Sequence, residues 1–117
     1  MLYERELEMC IDTMKKMHCR GIRICIGGDY GFAWTPQGTN AKDIQTFVEM
    51  LGFSPMEAIQ AATKYGGQIM NMEDELGMIK EGYLADLLLV DGDHTASGHP
   101  LMANDPHLSL TSPPLDS

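Results

Sequence analysis

The 117 residues are the length of one domain, and a hydrophobic content of 44% is ordinary for a chain that buries a core. A formal net charge of -9 offers no basic face, which argues against nucleic acid or an anionic membrane as partner. Three cysteines (Cys10, Cys19, Cys25) are odd in number and lack CxxC spacing, so a disulfide framework is not expected and a reduced, cytoplasmic setting is; nor is a charged-then-apolar leader or a membrane-spanning run expected.

Leu7, Cys10, Ile11, Met14, Met17 and His18 recur at helical spacing and predict a helix with one apolar stripe. Glu4 and Glu6 lead it, Lys15 and Lys16 follow, as the helix dipole favours, and Gly21 is its stop signal. The stretch "IRICIGGDYGF" comes next and predicts a strand over residues 22–26. Its parity puts Ile22, Ile24 and Ile26 on one face, and Arg23, Cys25, Gly27 and Asp29 on the other if extension continues. Three isoleucines are expected to pack under helices, while the second face ends in one carboxylate.

Residues 30–40, "YGFAWTPQGTN", predict a loop, with Asn40 as the N-cap of a following helix and Asp43 as a shortened capping box. Ile44, Phe47, Val48 and Leu51 form that helix's stripe, and Gly52 ends it. "SPMEAIQAAT" opens another helix: Ser54 at the N-cap, Pro55 at the first helical position, Glu57 closing a capping box, and a small face of Ala58, Ala61 and Ala62. Tyr65-Gly66-Gly67 is expected to break it before a short turn through Ile69 and Met70; Thr63 and Asn71, at helix ends, are assigned structure rather than chemistry.

The period then changes. "LGMIKEGYLADLLLVDGD" predicts a turn at Lys80-Glu81-Gly82 and a strand from Leu87 to Val90. Residues 73–93 hold seven of the 17 carboxylates against one base, Lys80, which reads as a solvated acidic surface, with Asp86 and Asp91 in turns or solvated positions. From Thr95 the chain is Ser/Pro/Asn-rich, so an irregular tail is expected.

Taken in order, the helix, the strand ending in Gly27-Gly28-Asp29, the capped "SPMEAIQAAT" and "LGMIKEGYLADLLLVDGD" resemble the C-terminal part of a metal-dependent amidohydrolase, most of all the prolidase-type and imidazolonepropionase-type members. The resemblance implies an α/β fold: the last helix, strand and helices of a (β/α)₈ barrel over residues 1–72, a strand or hairpin of an accessory β-sandwich over 73–93, and an irregular tail over 94–117. It implies that Asp29, at the end of the last barrel strand, is both a metal ligand and the group that accepts a proton from metal-bound water. Tyr30, Phe32 and Trp34 would line a substrate loop. The implied cofactor is one or two divalent metal ions, zinc first, and the implied substrate is a small amide, cyclic amide or dipeptide. No separate cofactor-binding residues are expected.

The family's early His-x-His and its two further strand-end histidines have no counterpart here. Of the four histidines, His18 sits on the first helix and His94, His99 and His107 fall in the tail. One carboxylate cannot hold a zinc ion that needs at least three protein ligands, so the chain alone is expected to be inactive. Missing barrel segments, or further copies of the chain, are the expected partners. The competing expectation is a non-catalytic α+β module that associates through an exposed strand edge.

Overall fold

The computed structural model describes residues 2–33, 35–90 and 108–111. In chain order the described elements are α1 (Leu2–Cys19), α2 (Ala41–Glu49), α3 (Pro55–Ala62), α4 (Lys64–Ile69), β1 (Leu87–Val90) and β2 (Leu108–Thr111). No described helix is long and apolar enough to cross a membrane.

Helix α1 carries an i,i+4 pair, Asp12 to Lys16, at 2.6 Å on its exposed side. Such surface pairs contribute a few tenths of a kcal/mol, roughly. Ile11, Met14 and Met17 pack against the core, whereas Leu7 and Cys10, on the same predicted stripe, are exposed. The helix stops where Gly21 was expected to stop it. Gly21, at φ +72, donates its N–H to the His18 carbonyl at 2.9 Å, and the Ile22 N–H reaches the Met17 carbonyl at 3.1 Å. These two bonds are a Schellman turn, which satisfies carbonyls the helix itself leaves open.

The strand expected over residues 22–26 has the predicted parity but no ladder. Ile24 is buried and Ile26 packs beside it, while Arg23 and Cys25 line a cleft with Tyr65, Gln68 and Ile69. Ile22 stays exposed. Among the described residues no backbone pairs with this run, and a strand exists as such only through a neighbour's hydrogen bonds.

Helix α2 begins next to the expected cap, but Asn40 does not cap it. Asn40 is itself helical (φ -56, ψ -33) and makes no side-chain cap bond, because the chain enters through a turn in which the Lys42 and Asp43 N–H groups donate to the Thr39 and Asn40 carbonyls. A capping side chain needs the extended backbone that this turn denies it. Ser54 has that backbone (φ -67, ψ 155), and the predicted capping box at the start of α3 is complete: the Glu57 N–H donates to Ser54 Oγ at 3.3 Å and the Ser54 N–H to Glu57 Oε2 at 2.8 Å.

Tyr65-Gly66-Gly67 does not break the helical chain. The joint is Thr63, between α3 and α4, and both glycines lie inside α4. Gly67 is required by a close approach. A Cβ there would stand 2.7 Å from the Leu76 carbonyl oxygen, and a Cβ on Gly77, at φ +91, would stand 2.7 Å from that of Thr63. The turn at 76–77 is thus seated on the start of α4. Asn71 takes a left-handed φ of 57 just past α4, and the Thr63 hydroxyl donates to the Ile59 carbonyl at 2.8 Å, so both serve structure as expected. Beyond them, the Tyr83 hydroxyl donates to the Glu73 carbonyl at 2.6 Å across the predicted turn at Gly82.

β1 forms where a strand was expected. Its partner, β2, puts a strand at residues 108–111, within the span expected to be irregular: β1 and β2 pair antiparallel, Leu87 opposite Thr111 and Val90 opposite Leu108. The apolar residues of "LSLT" are too few to announce a strand without that partner.

The core is Ile24, Phe47, Leu51, Phe53, Ala58 and Ala61, drawn from the run after α1, from α2 and its exit, and from α3. Phe47 and Phe53 meet with ring centroids 4.9 Å apart at 56°. Ala62, expected on the small face, is exposed. Large apolar side chains also remain outside, among them Ile69, Met70, Ile79 and Leu87 to Leu89. Such a surface favours association.

Two outcomes follow in urea unfolding. Gly67→Ala and Gly77→Ala each lose roughly 2–3 kcal/mol, because backbone rather than a flexible side chain blocks the new methyl; Gly66→Ala, with open space in the same helix, gains about 0.5–1 kcal/mol. The isolated chain is expected to melt broadly and to associate on size-exclusion chromatography, and a sharp, reversible monomeric transition would count against the exposed surface being a liability.

Candidate functional site

The run that carries Ile24 and Ile26 ends at Gly27, Gly28 and Asp29. Asp29 is exposed and holds a left-handed φ of 44. Away from glycine that conformation costs on the order of 1 kcal/mol, least for Asp and Asn. The next residues close a small loop over it. The Thr35 hydroxyl donates to the Asp29 carbonyl at 3.1 Å, the Gly31 N–H to the Thr35 carbonyl at 2.9 Å, and the Thr35 N–H to the Phe32 carbonyl at 3.1 Å.

Tyr30 is half-buried. Burial first, then the hydrogen bond and the charge of the Asp43 carboxylate, push its phenol up to about 12. Asp43, in the first turn of α2, keeps Oδ2 buried with no hydrogen-bond partner. Phe32 is 48% exposed at the loop tip. Trp34, expected in the same substrate loop, lies outside the described residues. The loop therefore joins Asp29, Tyr30 and Phe32 with two residues that the sequence did not single out for this place, Thr35 and Asp43. Asp43 had been noticed only as a capping residue.

No group of three His, Cys, Asp or Glu residues that could hold a metal ion occurs among the described residues. Asp29 alone does not fit a zinc ion, which takes three or four protein ligands. His18 is committed elsewhere: it stacks on Phe53 (centroids 3.8 Å, 16°) with Nε2 3.3 Å from Glu57 Oε1, long for a charge-assisted bond. His94, His99 and His107 lie outside the described residues. At the other end of the run, the Arg23 guanidinium donates to Gln68 Oε1 at 2.6 Å beside Cys25, in an open cleft of about 200 Å³.

Three comparisons bear on this arrangement. The model of the amidohydrolase family matches residues 4–115. This chain belongs to the amidohydrolase family. An imidazolonepropionase from Rubrobacter xylanophilus is 39% identical over 40% of this chain and 14% of its own length. Among solved structures, a Bifidobacterium longum protein assigned as a prolidase superposes with a TM-score of 0.71 and 27% identity, over 92% of this chain and 28% of that one. A Xaa-Pro dipeptidase with methionine bound in its active site superposes with a TM-score of 0.66 and 31% identity, over 86% and 25%. The chain thus spans about a quarter, or less, of these relatives.

The capping box gives a test of the electrostatics. Glu57 is held below the usual glutamate range, first by the Ser54 N–H, then by the Ser54 hydroxyl, with a smaller part from His18. A lowered folded value stabilises the fold above the unfolded value of about 4.3 and is lost as pH falls through the folded one. The melting-temperature advantage of the native chain over Glu57→Gln should hold at neutral pH and shrink as pH drops below that range. Ser54→Ala should cost about 1 kcal/mol at neutral pH.

Proposed function

We propose that this chain forms the C-terminal, strand-end portion of a barrel hydrolase that cleaves C–N bonds in small amide, cyclic amide or dipeptide substrates, with Asp29 as its catalytic carboxylate. The observation that carries the reading is the family match over residues 4–115, in which the one carboxylate at the end of the buried run is Asp29. The prolidase, Xaa-Pro dipeptidase and imidazolonepropionase names of the relatives support the substrate class.

In this reading the Asp29 carboxylate accepts a proton from the attacking water and returns it to the leaving nitrogen. Tyr30 and Phe32 flank the substrate at the mouth where barrel enzymes collect their chemistry. A divalent metal, zinc in this reading, would activate that water when bound. Asp29 is one ligand, and the other donors come from outside the described residues, on missing barrel segments or on another copy of the chain. The setting is cytoplasmic, in keeping with three free cysteines.

The run at residues 22–28, which pairs with no strand among the described residues, favours a second reading, an α+β module that docks a partner strand along this edge without catalysis. One experiment separates the two. The full chain is added to the Bifidobacterium longum relative lacking its own matching quarter, and proline release from Xaa-Pro dipeptides is followed. The hydrolase reading expects restored release that falls by about 10³-fold or more with Asp29→Ala. Binding without release, or release indifferent to Asp29→Ala, would overturn it.

A further inference from the structure

Asp29 is reached by a run with no backbone ladder among the described residues, and it carries an unfavourable left-handed φ of 44. A carboxylate so placed needs something other than a sheet to hold it. The side chain beside it supplies a contact on each flank. The Tyr30 ring lies directly over the backbone of Gly28: a Cβ at 28 would stand 1.8 Å from Tyr30 Cε2 and 2.6 Å from Cδ2 and Cζ. The Asp43 carboxylate, in the first turn of α2, acts on the Tyr30 hydroxyl and helps to push the phenol up. On the other side the Thr35 hydroxyl holds the Asp29 carbonyl at 3.1 Å.

We propose that Tyr30 is the positioning residue for Asp29, clamping the backbone at Gly28 with its ring and tying it to α2 through Asp43. The inference rests on the reading of Asp29 as the working carboxylate, and it adds the device that aims it. The route of the tie matters. α2 is fixed to the core by Phe47, and Ile24 of the run leading to Asp29 is buried in the same core. Asp29 is thereby referenced twice to one rigid body, once along its own chain and once through Tyr30. Gly28 is required for the same reason, since any side chain there would lift the ring.

The test uses the full chain. At a positive φ the amide and α protons of Asp29 lie close together, so its intraresidue amide-to-α-proton Overhauser effect is strong. Tyr30→Phe, Asp43→Ala and Gly28→Ala are each expected to weaken that signal and to speed chymotryptic cleavage after Phe32, with cleavage at other sites unchanged. Asp43→Asn keeps an acceptor oxygen and should preserve both. In the complementation assay Tyr30→Phe should lower kcat about 10- to 100-fold with KM unchanged. A Tyr30→Phe chain with the native Asp29 signal and native cleavage overturns the clamp. So does a native kcat in Tyr30→Phe when Asp29→Ala is inactive. Indifference of hydrolysis to Asp29→Ala would instead sink the hydrolase reading, and the Overhauser and cleavage results would still decide the clamp.

Discussion

The structure depends on the burial of Ile24 among Phe47, Leu51, Phe53, Ala58 and Ala61. One isoleucine joins the run after α1 to two helices that follow it, and Phe53 adds a stack on His18 of α1. A cluster of this size leaves little margin. Removing one of its phenylalanines would take roughly 3–5 kcal/mol from a domain whose whole stability is of order 5–15. Local devices carry the rest: the Schellman turn after α1, the capping box on α3, and the paired close approach of Gly67 and Gly77.

Much of this was legible in the sequence because it is local. Ser54, Pro55 and Glu57 announce a helix start within four residues, and the structure completes every bond that grammar implies. Gly21 and Gly82 were readable because only a residue without Cβ enters the left-handed region freely. Leu87 to Val90 was readable as a short apolar run after a turn. The family itself was legible from the order of these pieces, none of which is decisive singly.

What was missed depends on distant contacts. Asn40 has a capping residue's chemistry but not its backbone, and the turn at Thr39 that denies it is invisible in composition. Gly66 and Gly67 look like breakers until Leu76, nine residues beyond Gly67, is seen against the helix. His18 sits in a methionine-rich stripe, and nothing nearby in sequence reveals that Phe53 and Glu57 meet it. Asp43 belongs to both kinds. Its place near a helix start was readable, but its partner, Tyr30, lies thirteen residues upstream across an aromatic loop.

The Schellman turn at Gly21 does more than finish α1. It fixes the rotational phase at which the chain departs, so that Ile24 and Ile26 turn to the core while Arg23 and Cys25 line the cleft on the other side. That phase runs on to the glycines, and among the described residues no hydrogen-bonded strand neighbour corrects it on the way. A single residue inserted at this corner would leave every residue type in place and exchange the two sides, sending Arg23 and Cys25 inward and turning the isoleucines to water.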